Sequence, residues 1–366
     1  MSIYSKDISV VVQGAIDPVN TPLCLQSIRK HLPDAELILS TWVGAKTGGL
    51  DYDVLVLNED PGGILCDPVW KVTNNVNRQI VSSKKGAEAA SRAFALKIRS
   101  DMKLVGLQFI EAWEKYKGER ADNCRVFKHR IVINNLYCAN PHRSNFLFHI
   151  SDWMQFGLRE DILNLWDIPL QSEHDMGEYF DNKKRPAIDP VPTWSFRYIP
   201  EQYIWTECLR KNGIVFGFEY YTDITPENLA LSELSFSNNV TILDYEDSGL
   251  RFLKYDPYKW DYNAQYKHAE WLALYKKHCA PSFKIPLRYM WQNILTSQLI
   301  GKDVERLRRH IYLFFEPIWD NTKRLFRWLR RPFLAIIYGV KVGILLIPAI
   351  YKEKQRYRNM EESRHV

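Results

Sequence analysis

The run Phe94-Ala-Leu-Lys-Ile-Arg-Ser-Asp101 is a short apolar stretch that ends in a carboxylate. A second apolar stretch, Ile8-Ser-Val-Val-Val-Gln-Gly14, ends in a small-residue turn. As strands of one sheet they bring their carboxyl ends together, and ligands of open α/β sheets sit outside those ends. The end at Gln13 and Gly14 then receives a nucleotide. The end at Asp101 is placed to hold a divalent cation, manganese or magnesium, against the phosphates, whose charge is commonly offset by a metal shared with carboxylates. Lys97 and Arg99, just before Asp101, are also candidates to face phosphate. The plain alternative is that Asp101 only closes the turn after its strand.

The elements that must position these residues are legible as alternating strands and helices. Strands are expected at 8–14, 36–42, 53–58 and 94–99. Helices are expected from Thr21-Pro22, which reads as an N-cap followed by a first-turn proline, to about His31, then at 75–82, 86–93 and 105–116. This alternation argues for a mainly parallel sheet with helices on both faces. Beyond residue 125 the pattern changes. Arg125 to Ile133 alternates like a half-exposed strand, Phe146 to Ile150 is a further strand candidate, and 158–165 is a short helix. The stretch 169–200 reads as a loop, 200–213 as a helix with a proline start and a glycine stop, and 214–280 as mixed and rich in Tyr and Trp.

A chain of 366 residues with 46% hydrophobic content can bury a large core. The six cysteines are scattered without a C-x-x-C pair, which fits reduced thiols in a cytosolic setting better than a disulfide framework or a structural zinc site. The nine histidines show no metal-ligand spacing, and no G-x-x-x-x-G-K-[ST] is present, which argues against a P-loop enzyme. Met1 to Asp7 leads straight into a strand, without a basic segment followed by an apolar one, so no secretory signal is expected.

The charge is uneven. Residues 302–366 hold 15 Lys and Arg against 7 Asp and Glu, a net +8, and the rest of the chain carries −2. Between 302 and 358 the basic residues alternate with Trp, Phe, Leu and Ile, a composition suited to a membrane interface. Residues 332–350 are almost long enough to span a bilayer, which needs about 20 apolar residues. Lys341 and Pro348 interrupt them, and shallow or re-entrant attachment is favoured over a span. The expected partner of the tail is an anionic membrane surface and not nucleic acid, since its apolar faces suit lipid better than a phosphate backbone.

The first hundred residues resemble family-2-like GT-A glycosyltransferases in element order. Within that group, Val-Val-Val-Gln-Gly, Leu-Pro-Asp-Ala-Glu-Leu-Ile-Leu-Ser-Thr-Trp, Leu-Asn-Glu-Asp-Pro-Gly, Asn-Arg-Gln and Lys-Ile-Arg-Ser-Asp look like the WavE lipopolysaccharide-synthesis family over about residues 8–215. The resemblance implies a GT-A-like, Rossmann-related mixed sheet over 1–280, with a nucleotide-binding half at 1–120 and an acceptor half at 121–280. A helical membrane-associating tail at 281–366 completes the expected organisation. It implies a nucleotide-sugar donor and a lipopolysaccharide, capsule or lipid-linked glycan acceptor, met at the cytoplasmic face of the inner membrane by a peripheral or monotopic enzyme.

Site residues follow from the same likeness. Thr41-Trp42 replaces a paired-acid turn, and Trp42 either stacks on the base or is core. Arg78 is a phosphate candidate or lies on a solvated helix face. Asp60, before Pro61-Gly62-Gly63, binds nucleotide or shapes its turn. An inverting transferase needs a carboxylate to accept the acceptor hydroxyl proton. Glu201 resembles the helix-starting acid that supplies it, although the helix macrodipole alone favours an acid there. Asp152, in His149-Ile-Ser-Asp-Trp153, competes for that role or binds acceptor, and Trp153 beside it either stacks on a sugar ring or packs. Because Arg99-Ser100-Asp101 offers one acid where many relatives have two, Arg99 or Lys97 stands ready to replace part of the cation's charge. Two other readings remain at this stage: a nucleotidyl or phosphoryl transferase on a similar sheet, and a non-catalytic membrane adaptor.

Overall fold

The computed structural model describes residues 3–67, 69, 71–116, 118–183, 195–254, 264–295 and 331–362. Contacts group the chain into two units, Met1–Pro257 with Ala264–Phe283, and Tyr258–Asn263 with Lys284–Val366. The first unit is built on a mixed, mainly parallel sheet flanked by helices, the α/β architecture expected above.

In chain order its first half contains β1 (Ile8–Gln13), α1 (Asn20–His31), β2 (Glu36–Trp42), β3 (Val54–Asn58), the hairpin β4 (Ile64–Asp67) and β5 (Val72–Asn74), α2 (Val76–Ala89), β6 (Phe94–Arg99), β7 (Met102–Leu104) and α3 (Gln108–Lys115). The second half contains β8 (Ile131–Asn134), β9 (Met154–Leu158), α4 (Arg159–Trp166), α5 (Glu173–Gly177), α6 (Pro200–Lys211), α7 (Pro226–Asn239), β10 (Val240–Leu243), β11 (Leu250–Phe252) and α8 (His268–His278). The main sheet has the order β10-β8-β9-β6-β1-β2-β3. Six strands are parallel, and β9 runs against both β6 and β8. All six residues of β1 are buried. Its central Val10-Val-Val12 run is of the kind found in strands covered on both faces.

Helix α2 packs so closely over β1 and β2 that a Cβ on Gly86 would stand 2.3 Å from Val11 Cγ1 and 3.2 Å from Ser40 Cβ. Sequence reading divides this helix at its small residues; the structure keeps it continuous because Gly86 is the contact point. Gly86→Ala gains roughly 1 kcal/mol in helix propensity. Pushing α2 off the sheet should outweigh that, with a net loss of about 1–3 kcal/mol in urea unfolding.

Several local expectations are corrected. Asp17, not Thr21, caps α1: its Oδ1 accepts the amides of Val19 and Asn20 at 2.9 Å, while Thr21 Oγ1 accepts the Asp17 amide at 2.9 Å. The strand expected at 125–133 as half-exposed is only Ile131–Asn134, and it is fully buried, because β9 and β10 flank it. Residues before it stay out of the ladder: Asn239 Oδ1 takes the Val126 amide, and the Asp161 carboxylate takes those of Lys128 and His129. Residues 146–150 are not a strand, since Phe148 has φ +55° and its amide bonds Ser232 Oγ. The strand comes later, as β9. The presumed loop at 169–200 contains α5.

In the second unit, α9 (Leu287–Leu295) and α10 (Arg331–Glu362) are described. The basic amphipathic stretch up to residue 330 lies outside the described residues. No described helix is long and apolar enough to cross a membrane.

Candidate functional site

The six parallel strands aim their carboxyl ends at one edge of the sheet. β9 runs the other way, so the residues just before it, Ser151-Asp152-Trp153, return to that same edge. Gln13 pairs with Arg99 and Ile98 with Met154 in the ladders. These registers bring the turn after β6 beside the chain entering β9.

Arg99 is the centre of the arrangement. Its Nε and Nη2 donate to the two oxygens of Asp101 at 3.0 and 2.9 Å. Its guanidinium lies 4.7 Å from the centre of the Trp153 ring and 5.6 Å from that of Phe252. Trp153 in turn stacks on Tyr137 at 5.3 Å. Burial opposes the Arg99 charge, but the Asp101 carboxylate and its hydrogen bonds hold the guanidinium above its ordinary value. Asp101, the expected metal ligand, therefore has both oxygens engaged. Among the described residues no three His, Cys, Asp or Glu side chains converge as a cation site. A cation at this edge would rest on Asp101 together with the substrate's own phosphates, the sparing protein donor set usual for magnesium. The fixed positive charge at this point of the sheet edge is Arg99.

Asp152 is 1% exposed, and neither carboxylate oxygen has a hydrogen-bond partner among the described residues. Buried polar atoms are nearly always paired, so this carboxylate stands ready for a donor from outside the chain. Its backbone is firmly held. Lys97 Nζ donates to the Asp152 carbonyl and sits 4.6 Å from the Trp166 ring centre. Trp166 Nε1 donates to Gln155 Oε1 at 2.7 Å, Gln155 Nε2 to the Ser151 carbonyl at 2.9 Å, and Ser151 Oγ to Asn134 Oδ1 at 3.0 Å. Lys97 is fully buried, and burial pushes its ammonium down to about 8. It supports Asp152 from beneath and does not present its charge to solvent.

Glu201, in the first turn of α6, comes to the same place. Burial, then the Asp152 charge, raise its carboxyl well above the ordinary range. Glu201 Oε2 lies 3.8 Å from His149 Nε2. His149 Nδ1 is 2.7 Å from the Tyr137 carbonyl, an acceptor, so that nitrogen carries the hydrogen. Burial lowers the imidazole to about 4, leaving it neutral with Nε2 facing the Glu201 carboxyl. Two loop residues here, Tyr137 and Phe148, adopt positive φ (+53° and +55°), conformations that tend to collect at functional sites.

This protonation has a measurable consequence. Burial and the Asp152 charge favour the protonated form of Glu201 in the fold more than in the unfolded chain. Its contribution to stability is complete at acid pH and declines as pH rises from the ordinary glutamate range through its raised folded value. Glu201→Gln should flatten that decline and be more stable than the parent by roughly 2–4 kcal/mol at about pH 9. Urea midpoints across pH give the comparison, and equal slopes would contradict a buried, protonated Glu201.

The nucleotide-side candidates lie across β1 from these acids. A cleft of 760 Å³ lies between the loops after β1 and β2, lined by Ala15, Ile16, Pro22, Trp42, Lys46 and Leu50 among others. Trp42 is half-buried and forms part of its wall. Gly14, at φ +116°, makes the turn beside Ser100, whose Oγ donates to the Ala15 carbonyl at 2.7 Å. Gln13 is buried and accepts from Ser82 Oγ at 2.7 Å. Thr41 is fully buried, its hydroxyl unpartnered. Arg78 and Asp60, read separately in the sequence, bond each other through two contacts of 2.7 and 2.8 Å. Asp60 also accepts the Gly62 amide, and Arg78 donates to Asn75. They belong to the β3 end of the edge, three strands from β6, about 14 Å at ordinary strand spacing.

The structure thus gathers Arg99, Asp101, Asp152 and Glu201 and leaves Arg78 and Asp60 apart as a pair. Sequence reading misses His149, Tyr137 and Phe252. His149 is signalled only by its place three residues before Asp152, and Phe252 comes from a region without distinct periodicity.

The sequence matches the family described as WavE lipopolysaccharide synthesis over residues 8–307. A search among curated proteins finds no match. Among solved structures, one similar chain is that of S. aureus TarS, with 11% identity and a TM-score of 0.31, covering 92% of this chain and 54% of that one. The chain spans about half the length of that neighbour.

Proposed function

We propose that this chain, which belongs to the WavE family of lipopolysaccharide-synthesis proteins, is a glycosyltransferase that moves a sugar from a nucleotide-sugar donor to a lipopolysaccharide, capsule or related surface-glycan acceptor. The observation that carries the reading is the meeting, at one sheet edge, of a fixed guanidinium and a buried carboxylate with no donor of its own. The cleft beside Trp42 supplies room for a nucleoside.

In this reading the nucleoside occupies the cleft and its base stacks on Trp42. Arg99 faces the diphosphate, with Asp101 orienting the guanidinium fork. Asp152 accepts the proton of the acceptor hydroxyl as that oxygen bonds the anomeric carbon. The bond from that carbon to the phosphate oxygen breaks, and its electron pair leaves with the nucleoside diphosphate, whose charge Arg99 offsets. Burial and the neighbouring Asp152 charge favour the protonated form of Glu201, so in this reading Glu201 donates a hydrogen bond beside Asp152 and Asp152 serves as the base. Trp153 and Tyr137 offer flat faces to a sugar ring. The reaction is placed at the cytoplasmic face of the inner membrane, where a soluble donor meets a lipid-linked acceptor.

Isothermal titration with UDP, GDP and CMP, with and without manganese, tests the donor site. Binding of one of the three that survives chelation and is lost in an Arg99 variant supports the reading. Absence of binding by all three counts against it. Binding that requires both manganese and Asp101 would return the phosphate role to a metal.

A further inference from the structure

The second unit exposes apolar side chains in an ordered way. On α10, Phe333, Ile337, Val340, Ile344 and Ile347 are 71, 61, 62, 71 and 77% exposed. Their spacing of four, three, four and three residues puts them on one face of the helix. Val342, on the other face, is 7% exposed. In the same unit, Leu287 and Trp291 of α9 are 72 and 50% exposed. Contiguous apolar surface of this kind marks an interaction site on a soluble protein.

The charge pattern identifies what covers it. From Arg331 to Lys352 the sequence has no Asp or Glu, and Lys341 borders the apolar face. Lys352, Lys354, Arg356 and Arg358 follow in the same helix, and residues 302–366 carry a net +8. An apolar stripe with cationic flanks is complementary to a surface whose interior is hydrocarbon and whose rim is anionic. Tryptophan is favoured at such a boundary. No described helix is long and apolar enough to cross.

We propose that the Phe333–Ile347 face of α10 is a docking surface for an anionic phospholipid bilayer, with the helix axis in the plane of the headgroup–acyl boundary. This inference goes beyond the donor-site reading and does not depend on it.

The test is flotation of the full-length protein with vesicles of phosphatidylglycerol and phosphatidylethanolamine, compared with pure phosphatidylcholine. The protein should float with the anionic vesicles, more weakly at high salt, and much less with the neutral ones. The variant Ile337→Gln/Ile344→Gln/Ile347→Gln should lose at least about tenfold in vesicle affinity, while the corresponding Ile→Leu triple variant keeps it. Circular dichroism and nucleotide titration establish that the Gln variant is folded and separate this result from the fate of the transferase reading. Equal flotation of the Gln variant and the parent overturns the proposal, as does a parent that ignores anionic vesicles. A lipid-free dimer in sedimentation equilibrium that the Gln variant dissolves also overturns it, because a second copy would then be what covers the face.

Discussion

Asp152→Asn is expected to lower sugar transfer by about 10²–10⁴-fold, the usual contribution of a positioned general base, while nucleotide binding stays close to that of the parent. The amide has nearly the same shape, and the held part of Asp152 is its backbone carbonyl, which Lys97 still meets. What the substitution removes is the pair of oxygens that find no donor among the described residues. Restoration of surface glycan in cells lacking the chain reads the effect without an isolated acceptor, and titration reads the donor site. Full restoration by Asp152→Asn would remove Asp152 from the chemistry. Glu201→Gln makes the contrast. Since burial and the Asp152 charge favour the protonated form of Glu201, the neutral amide should retain far more activity than Asp152→Asn does. If Glu201→Gln proves the more damaging, Glu201 is the base and the assignment reverses.

Arg99→Met is the second large effect. It removes the cation from the donor site and leaves the 8%-exposed Asp101 carboxylate without its two hydrogen bonds. Truncating one member of a desolvated, hydrogen-bonded charge pair costs roughly 2–5 kcal/mol, about thirtyfold or more in affinity. Nucleotide titration should show a loss of that size. Asp101→Asn should cost less, because it loosens the guanidinium without removing it. Were Asp101 a metal ligand, the order would be the opposite: Asp101→Asn would be the severe variant, and only with manganese present.

Much of the architecture was legible in the sequence because it depends on neighbours along the chain. The largely apolar runs at 8–13, 36–42, 54–58 and 94–99 are strands in the structure. The proline start and glycine stop around 200–213 enclose α6, with Gly213 at φ +83°. The errors fall where distant groups take over the backbone. Asp161 and Asn239 draw residues 126–129 out of the sheet, and Ser232 holds the Phe148 amide in a left-handed turn. A one-dimensional pattern of apolar residues carries no record of such partners.

The candidate site divides along the same line. Chain order alone shows that Asp101 follows an apolar strand-forming run, that Glu201 opens a helix, and that Arg99 stands two residues before Asp101. Folding adds what chain order leaves open: β9 turns back to deliver Asp152 to the same edge, Arg78 bonds Asp60, and burial favours the protonated form of Glu201. Those outcomes depend on burial and on charges brought together from afar, as in the bond from Lys97 to a carbonyl 55 residues away. Local sequence sets the backbone's preferences. Proton affinity and ion pairing follow from the dielectric and the neighbours that exist only once the chain has packed.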